Sequence, residues 1–252
     1  MMLVEDWEKV VNDLRAKHQA TGQMSNINLV GNKSGEDISR QMQEDAMREA
    51  REKRKTAAIQ KLPKRFQATT LDSIRAQGIP KNKSVAQNWQ YICQYTDHLA
   101  EHLKAGRGII LAGGFGTMKT TLAVAVLRKY IDGGGWGVMV TMASLIDKIY
   151  SMRNTDASEA AAYETEIREA KLLVIDDLGA EDNHFAWVLA KVDSIISSRY
   201  DNRLATIITT NYSPDDLSQT YGGRLIDRIK SNCFYLPFVG VSERKPLDLS
   251  MI

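Results

Sequence analysis

An α/β fold, with a five-stranded parallel sheet between layers of helix, is predicted by three features of this 252-residue chain. Short apolar runs alternate with helical patterns. A glycine-rich turn separates the first of these runs from the helix after it, and a later run ends on two adjacent aspartates. Apolar strands of this kind, alternating with helices, belong to a parallel sheet buried on both faces.

The elements follow in order. Leu3, Trp7, Val10, Val11 and Leu14 recur at three- and four-residue steps and predict an amphipathic helix. A polar loop runs from Thr21 to Gly35. Helical pattern resumes at Glu36 and continues to Gln60, with few large apolar residues. From Arg40 to Arg65 there are nine basic residues against four acidic ones. Such a run suits either a solvated helix face or a basic arm for nucleic acid. Pro63 closes the segment, so a small helical N-terminal region with its linker, residues 1–62, is expected ahead of a domain at 63–252.

Within that domain Ser84 is a candidate cap for a helix whose stripe is Val85, Trp89, Ile92, Leu99 and Leu103, ended by Gly106. His98 and His102 share a helix face there, but no third ligand stands nearby in sequence and a polar helix edge is the reading. Strands are predicted at Gly108–Ala112, Val138–Met142, Leu172–Ile175, Ala205–Thr210 and Phe234–Phe238. Helices are predicted at Lys119–Tyr130, Ser144–Arg153, Tyr163–Ala170 and Trp187–Arg203.

Composition excludes several function classes. Hydrophobic residues make up 43% and charged residues 25%, enough apolar material for a sizeable core, and the net charge of +2 calls for no acidic partner. Cys93 and Cys233 lie far apart and read as reduced thiols. No apolar run approaches the roughly 18 residues needed to span a bilayer, and the acidic N-terminus does not suit a signal peptide. A soluble cytoplasmic protein without membrane partners is expected.

The chemistry sits in Gly113, Gly114, Phe115, Gly116, Thr117, Met118, Lys119, Thr120 and Thr121, between a strand and a helix. A phosphate-binding loop needs that order, because backbone N–H groups at the helix N-terminus face the phosphates. Lys119 suits the β- and γ-phosphates of ATP and Thr120 suits Mg²⁺. Met118 stands where the pattern has glycine, which bears on ATP affinity and turnover. The second element is Leu172–Ile175 followed by Asp176 and Asp177. Asp176 is the candidate Mg²⁺ ligand, and Asp177 the group that orients or deprotonates the attacking water. Each stretch alone is compatible with a plain turn. At a spacing of about 60 residues, with helix and strand between, they specify a P-loop ATPase. Asn211, ending the fourth strand, suits either a turn or contact with the γ-phosphate and lytic water.

Leu-Leu-Val-Ile-Asp-Asp-Leu-Gly (172–179), Ser-Arg-Tyr (198–200) ahead of Ile-Ile-Thr-Thr-Asn (207–211), Arg-Leu-Ile-Asp-Arg (224–228) and Leu-Pro-Lys-Arg-Phe (62–66) resemble the DnaC/DnaI/IstB branch of the AAA+ ATPases. The resemblance covers about residues 62–245. It implies an AAA+ domain with the Asp176 strand beside the P-loop strand, and a sensor role for Asn211. It also implies an arginine finger at Arg228, with Arg224 as the neighbouring alternative, and a second sensor at Arg244. It implies self-assembly and the loading of a DnaB-type replicative helicase onto single-stranded DNA; residues 1–62, ahead of the stretch that resembles the family, are assigned the grip on the helicase from their position alone. A transposition helper of the IstB kind shares nearly all these motifs, and a non-hydrolysing assembly factor is the reading that Met118 leaves open.

Overall fold

A computed structural model describes residues 35–79, 82–180 and 186–244. The amphipathic stripe at residues 3–14 and the polar loop before Gly35 lie outside the described residues. Helix α1 (Gly35–Gln60) is followed by a 3-10 turn at Lys64–Phe66, α2 (Leu71–Gln77), α3 (Lys83–Asp97) and α4 (Leu99–Lys104). Then come β1 (Gly108–Gly113), α5 (Lys119–Asp132), β2 (Gly137–Thr141), α6 (Met142–Thr155), α7 (Ala157–Glu169) and β3 (Leu172–Leu178). The chain continues through α8 (Ala186–Asp201), β4 (Ala205–Thr210), α9 (Pro214–Tyr221), α10 (Gly223–Asn232) and β5 (Cys233–Phe238).

The five strands lie in the order β2-β3-β4-β1-β5, every pair parallel. The order corrects one expectation. The Asp176 strand is not beside the P-loop strand, because β4 pairs with both and separates them. Strand alternation divides the core in two. Ile109, Leu111, Leu172, Val174 and Ile207 face α5 and the helices before β1. Ile110, Leu173, Ile175 and Ile208 face α6 to α10. Both faces of β1, β3 and β4 are covered and their runs are apolar as read from the sequence, whereas Phe234 and Tyr235 of the edge strand β5 are exposed.

The short helices α2, α9 and α10 went unread; too few turns leave too little periodicity to see. Thr70 and Ser213 close capping boxes on α2 and α9. The cap of α3 is Asn82, whose side chain accepts from the N–H groups of Ser84 and Val85, rather than Ser84. Ser84 Oγ instead donates to Pro237 O at 3.0 Å, and Asn88 Nδ2 donates to the same carbonyl at 2.8 Å. With Pro237 lacking an N–H, the outer edge of β5 is closed to a further strand at that point. His98 interrupts the expected single helix, and the His102 ring stacks on Tyr95 at 4.5 Å. Among the described residues no cluster of three metal-ligating side chains occurs, both cysteines are free, and no helix is long and apolar enough to cross a membrane.

The chain divides within α1, between Ala46 and Met47. Residues 39–45 of α1 are exposed, and Arg40 pairs with Glu44 at 3.7 Å. In the second unit, part of the basic run has structural work. Arg51 donates to the Gly133 carbonyl at the end of α5, and Lys55 pairs with Asp132 at 3.4 Å. Cations at a helix C-terminus meet its unpaired carbonyls and its dipole. Leu62, with Ala58 and Ile59, already belongs to the core.

Arg199 is the largest fully buried side chain, with 0% exposure. Its Nη1 donates to the carbonyls of Ile167 (2.9 Å), Arg168 (3.1 Å) and Ala170 (2.8 Å). Nη2 donates to Ala205 O at 2.6 Å, and Nε to Thr206 Oγ1 at 2.9 Å. The guanidinium thus closes the C-terminus of α7 and ties it to the start of β4. Burial pulls its pKa down to about 9, so it stays charged at neutral pH. Replacement by Met strands several carbonyls, each costing about 1–3 kcal/mol when buried unpaired. Arg199→Met is expected to lower the unfolding free energy by roughly 3 kcal/mol or more in urea titration, and Arg199→Lys to recover only part of it, since an ammonium lacks the fork.

Candidate functional site

Five residues, 114–118, join β1 to α5. Gly116 sits at φ +73°, and a Cβ there falls 1.9 Å from Ser242 Oγ, so only glycine fits. The Glu243 N–H donates to Gly116 O at 2.9 Å, laying residues 241–244 against the loop. Thr117 Oγ1 closes the turn on Gly114 O at 2.8 Å. Met118 has φ +70° and stands just before the first helical residue. The loop keeps the angle that a glycine would take, at about 1–2 kcal/mol for a residue with a Cβ. The Met118 side chain is partly buried against the α5 side of the core.

At the end of β3, Asp176 is 1% exposed. Its Oδ1 accepts from Thr120 Oγ1 at 2.7 Å and from Thr209 Oγ1 at 2.6 Å. Burial pushes the carboxyl up from its ordinary value, and the two hydroxyls pull it partly back. Asp177 follows at φ +54°, where the register of β3 against β4 shifts. Because β4 lies between β1 and β3, Asn211 emerges between the loop and the acids. Lys119 Nζ uses all three of its protons, donating to Gly113 O (2.8 Å), Gly114 O (2.7 Å) and Asn211 Oδ1 (2.9 Å). Burial lowers the lysine pKa, Asp177 and Asp176 raise it, and Arg244 lowers it further.

These groups open on a cleft of about 520 Å³. One wall carries residues 115–121, Asp177 and Asn211; Arg65, Phe66, Gln77 and Gly78 also line it, together with Glu243 and Arg244. The structure thus gathers every residue read from 113 to 121, with Asp176, Asp177, Asn211 and Arg244. Arg228 lies elsewhere: its guanidinium donates to Ser197 Oγ and stands 3.6 Å from Asp193, both on α8. Arg224 is exposed on the first turn of α10. Sequence reading missed Thr209, whose signal was the threonine pair before Asn211. It also missed Arg65, which lines the cleft and lies over the Phe66 ring at 4.5 Å.

The arrangement fits a nucleotide phosphate chain with Mg²⁺. No side chain caps the first turn of α5, leaving those N–H groups for an anion beside Lys119. Thr120 and Asp176 offer hard oxygen ligands within one hydrogen bond of each other, the donor chemistry Mg²⁺ takes. The family model described as "IstB-like ATP binding protein" matches residues 14–248. The chain belongs to this family. Its ATP-binding fold is that of the AAA+ proteins, in the DnaC/DnaI/IstB branch. The replicative helicase loader DnaC of Escherichia coli K12 is 22% identical over 210 residues, covering 79% of this chain and 81% of that protein. The replicative helicase loader DnaI of Bacillus subtilis is 25% identical over 136 residues, and the match spans only 43% of its length. Among solved structures, a DnaC helicase loader superposes with a TM-score of 0.61 and 27% identity, over 70% of this chain and 100% of that one. DnaA bound to AMPPCP and single-stranded DNA shares the fold, with a TM-score of 0.55 at 15% identity over 70% of this chain and 50% of that one.

The buried Asp176 carboxylate makes stability depend on pH. Its pKa is raised in the folded protein, so its stability contribution is fully present below the unfolded value and lost as pH rises through the folded one. Asp176→Asn is therefore expected to melt above the wild type at neutral pH, the gap closing as pH falls into the ordinary carboxylate range. Calorimetry from pH 4 to 7.5 checks this, and a neutral melting point below wild type contradicts it.

Proposed function

We propose that this protein is an ATPase that loads a DnaB-type replicative helicase onto single-stranded DNA. The observation that carries the reading is the convergence of Lys119, Thr120, Asp176, Asp177 and Asn211 on one cleft. In it the N–H groups of residues 113–121 and the Lys119 ammonium hold the phosphates, and Thr120 and Asp176 hold Mg²⁺. Asp177 orients and deprotonates the attacking water, Asn211 senses the γ-phosphate, and Arg244 contacts it from the C-terminal segment. Bound ATP supplies the phosphoryl group whose transfer to water drives the cycle. Arg228 acts in trans, on nucleotide held by the next copy in an assembly, once it leaves Ser197 and Asp193. Residues 1–62 grip the helicase, and residues 63–252 form the ATPase domain.

Near full-length similarity to the E. coli loader favours this reading, whereas the matching family model keeps an IstB-type transposition helper in view. The full chain, ATP and the host's replicative helicase, mixed with circular single-stranded DNA, are expected to leave helicase on the circle. No ATP-dependent transfer, together with stimulation of a co-encoded transposase, decides for the transposition helper.

Composite sites give a sharper prediction. Arginine fingers contribute on the order of 10³–10⁵ in rate, so Arg228→Ala is expected to bind ATP normally and turn over slowly. Lys119→Ala fails in its own cleft. Mixing the two variants is expected to restore hydrolysis, because intact clefts then meet intact arginines. Co-assembly without recovery rules out a trans role for Arg228.

A further inference from the structure

We infer that Thr209 is a positioning residue for the Mg²⁺ site, one hydroxyl that aims the Asp176 carboxylate and fixes the backbone of Asp177. The inference rests on the ATP·Mg²⁺ reading above. Thr209 is 0% exposed on β4, facing α5, on the same side of the sheet as Asp176. Its Oγ1 donates to Asp176 Oδ1 at 2.6 Å and accepts the Asp177 N–H at 2.9 Å. One proton and one lone pair are each committed, to two consecutive residues with different tasks.

The need for such a group follows from the sheet. The pairing of β3 with β4 shifts register between Ile175 and Leu178, and Asp177 sits in the left-handed region at φ +54°. A backbone N–H at such a break loses its strand acceptor and is costly when buried unpaired. The Thr209 hydroxyl takes the place of that acceptor, holding Asp177 in a conformation that a residue with a Cβ rarely keeps. Thr210, the next residue, does similar service one residue further along the same strand end, donating to Leu178 O at 2.7 Å. Only Thr209 also touches the carboxylate.

Asp176 Oδ1 has two hydroxyl donors, and they differ in availability. Thr120 would hold Mg²⁺ through an oxygen lone pair while its proton stays on Asp176, so its hold on the carboxylate would be shared with the cation. Thr209, buried on β4, commits its proton to the carboxylate and its lone pair to the Asp177 N–H, and is not among the residues that would hold the cation. Removing such an outer partner weakens metal affinity by about 10- to 100-fold in characterised sites.

Thr209→Val keeps the shape and deletes the hydroxyl, and Thr209→Ser keeps the hydroxyl. With the full chain, Mg²⁺ is titrated at saturating ATP, and Mn²⁺ binding to the protein–ADP complex is followed by electron paramagnetic resonance. Thr209→Val is expected to raise the half-saturating metal concentration about tenfold or more in both, with nucleotide affinity in EDTA unchanged. Thr209→Ser is expected to track the wild type. Exchange of the Asp177 amide hydrogen, read without nucleotide, is expected to accelerate in Thr209→Val and not in Thr209→Ser, which monitors the backbone role independently of activity. Wild-type metal dependence in a folded Thr209→Val protein overturns the inference, as does equal impairment of the two variants. Absence of metal-dependent nucleotide binding in the wild type sinks the ATP·Mg²⁺ reading itself and this inference with it, an outcome distinct from either.

Discussion

A carboxylate buried at the end of β3, with hydroxyl groups as its hydrogen-bond partners, is the constraint around which this domain is arranged. Among the described residues Asp176 has no ion-pair partner, and burial disfavours its charged form. On the Mg²⁺ reading proposed above, Asp176 and Thr120 would hold a divalent cation, whose positive charge would offset the cost of burying the acid. For this to operate, β3 must end level with the start of α5. The sheet achieves it indirectly: β4 pairs with β1 on one side and β3 on the other, setting Ile110 and Ile175 against the same residue, Ile208. The strand between the two motifs is therefore the ruler that aligns them.

The same arrangement explains why Lys119 and Asn211 meet. A lysine that opens a helix at the C-terminal end of β1 points across the edge of the sheet, and β4 is its neighbour there. Three acceptors saturate its ammonium, one of them the last carbonyl of β1 and one the first carbonyl of the loop. A phosphate chain competing for that ammonium must exchange those bonds and in doing so frees the Asn211 oxygen. Lys119 and Asn211 are joined by a direct hydrogen bond, with no intervening side chain.

Strands and the two acidic and glycine-rich motifs were legible because both are local: apolar runs mark buried parallel strands, and a strand–glycine–lysine–helix order has few other uses. The sheet order was not legible. It depends on which strands pair across long crossovers, and nothing in Leu172–Ile175 says that Ala205–Thr210 stands between it and Gly108–Ala112. Side-chain roles failed in a similar way. Ser84 looked like a cap and Asn82, two residues earlier, is one; both are good capping chemistry, and the choice follows from Ser84 being taken by Pro237 O. Arg199, within a motif that carries the family resemblance, binds backbone carbonyls in the core. A motif arginine and a catalytic arginine look alike until burial separates them.

The three remaining arginines differ in how firmly the fold holds them, and that difference orders their roles. Arg244 sits on the segment that Glu243 fastens to Gly116 and that Ser242 packs against the loop, so it is placed in the cleft of its own chain. That segment is secured again upstream, where the Val239 N–H donates to Ser84 Oγ at 3.1 Å. Arg228 is held by Ser197 and Asp193 away from the cleft, and Arg224 is exposed one turn earlier on α10. A side chain fixed beside the P-loop can report on nucleotide only in cis. One that belongs to a different face of the domain can reach a phosphate only across an interface between copies. The exposed Asp193 pairing, at 3.6 Å and partly in solvent, is of the kind worth about 0–1 kcal/mol. On the trans role proposed for Arg228, this pairing and the Ser197 hydrogen bond are what a neighbour's phosphate would have to displace.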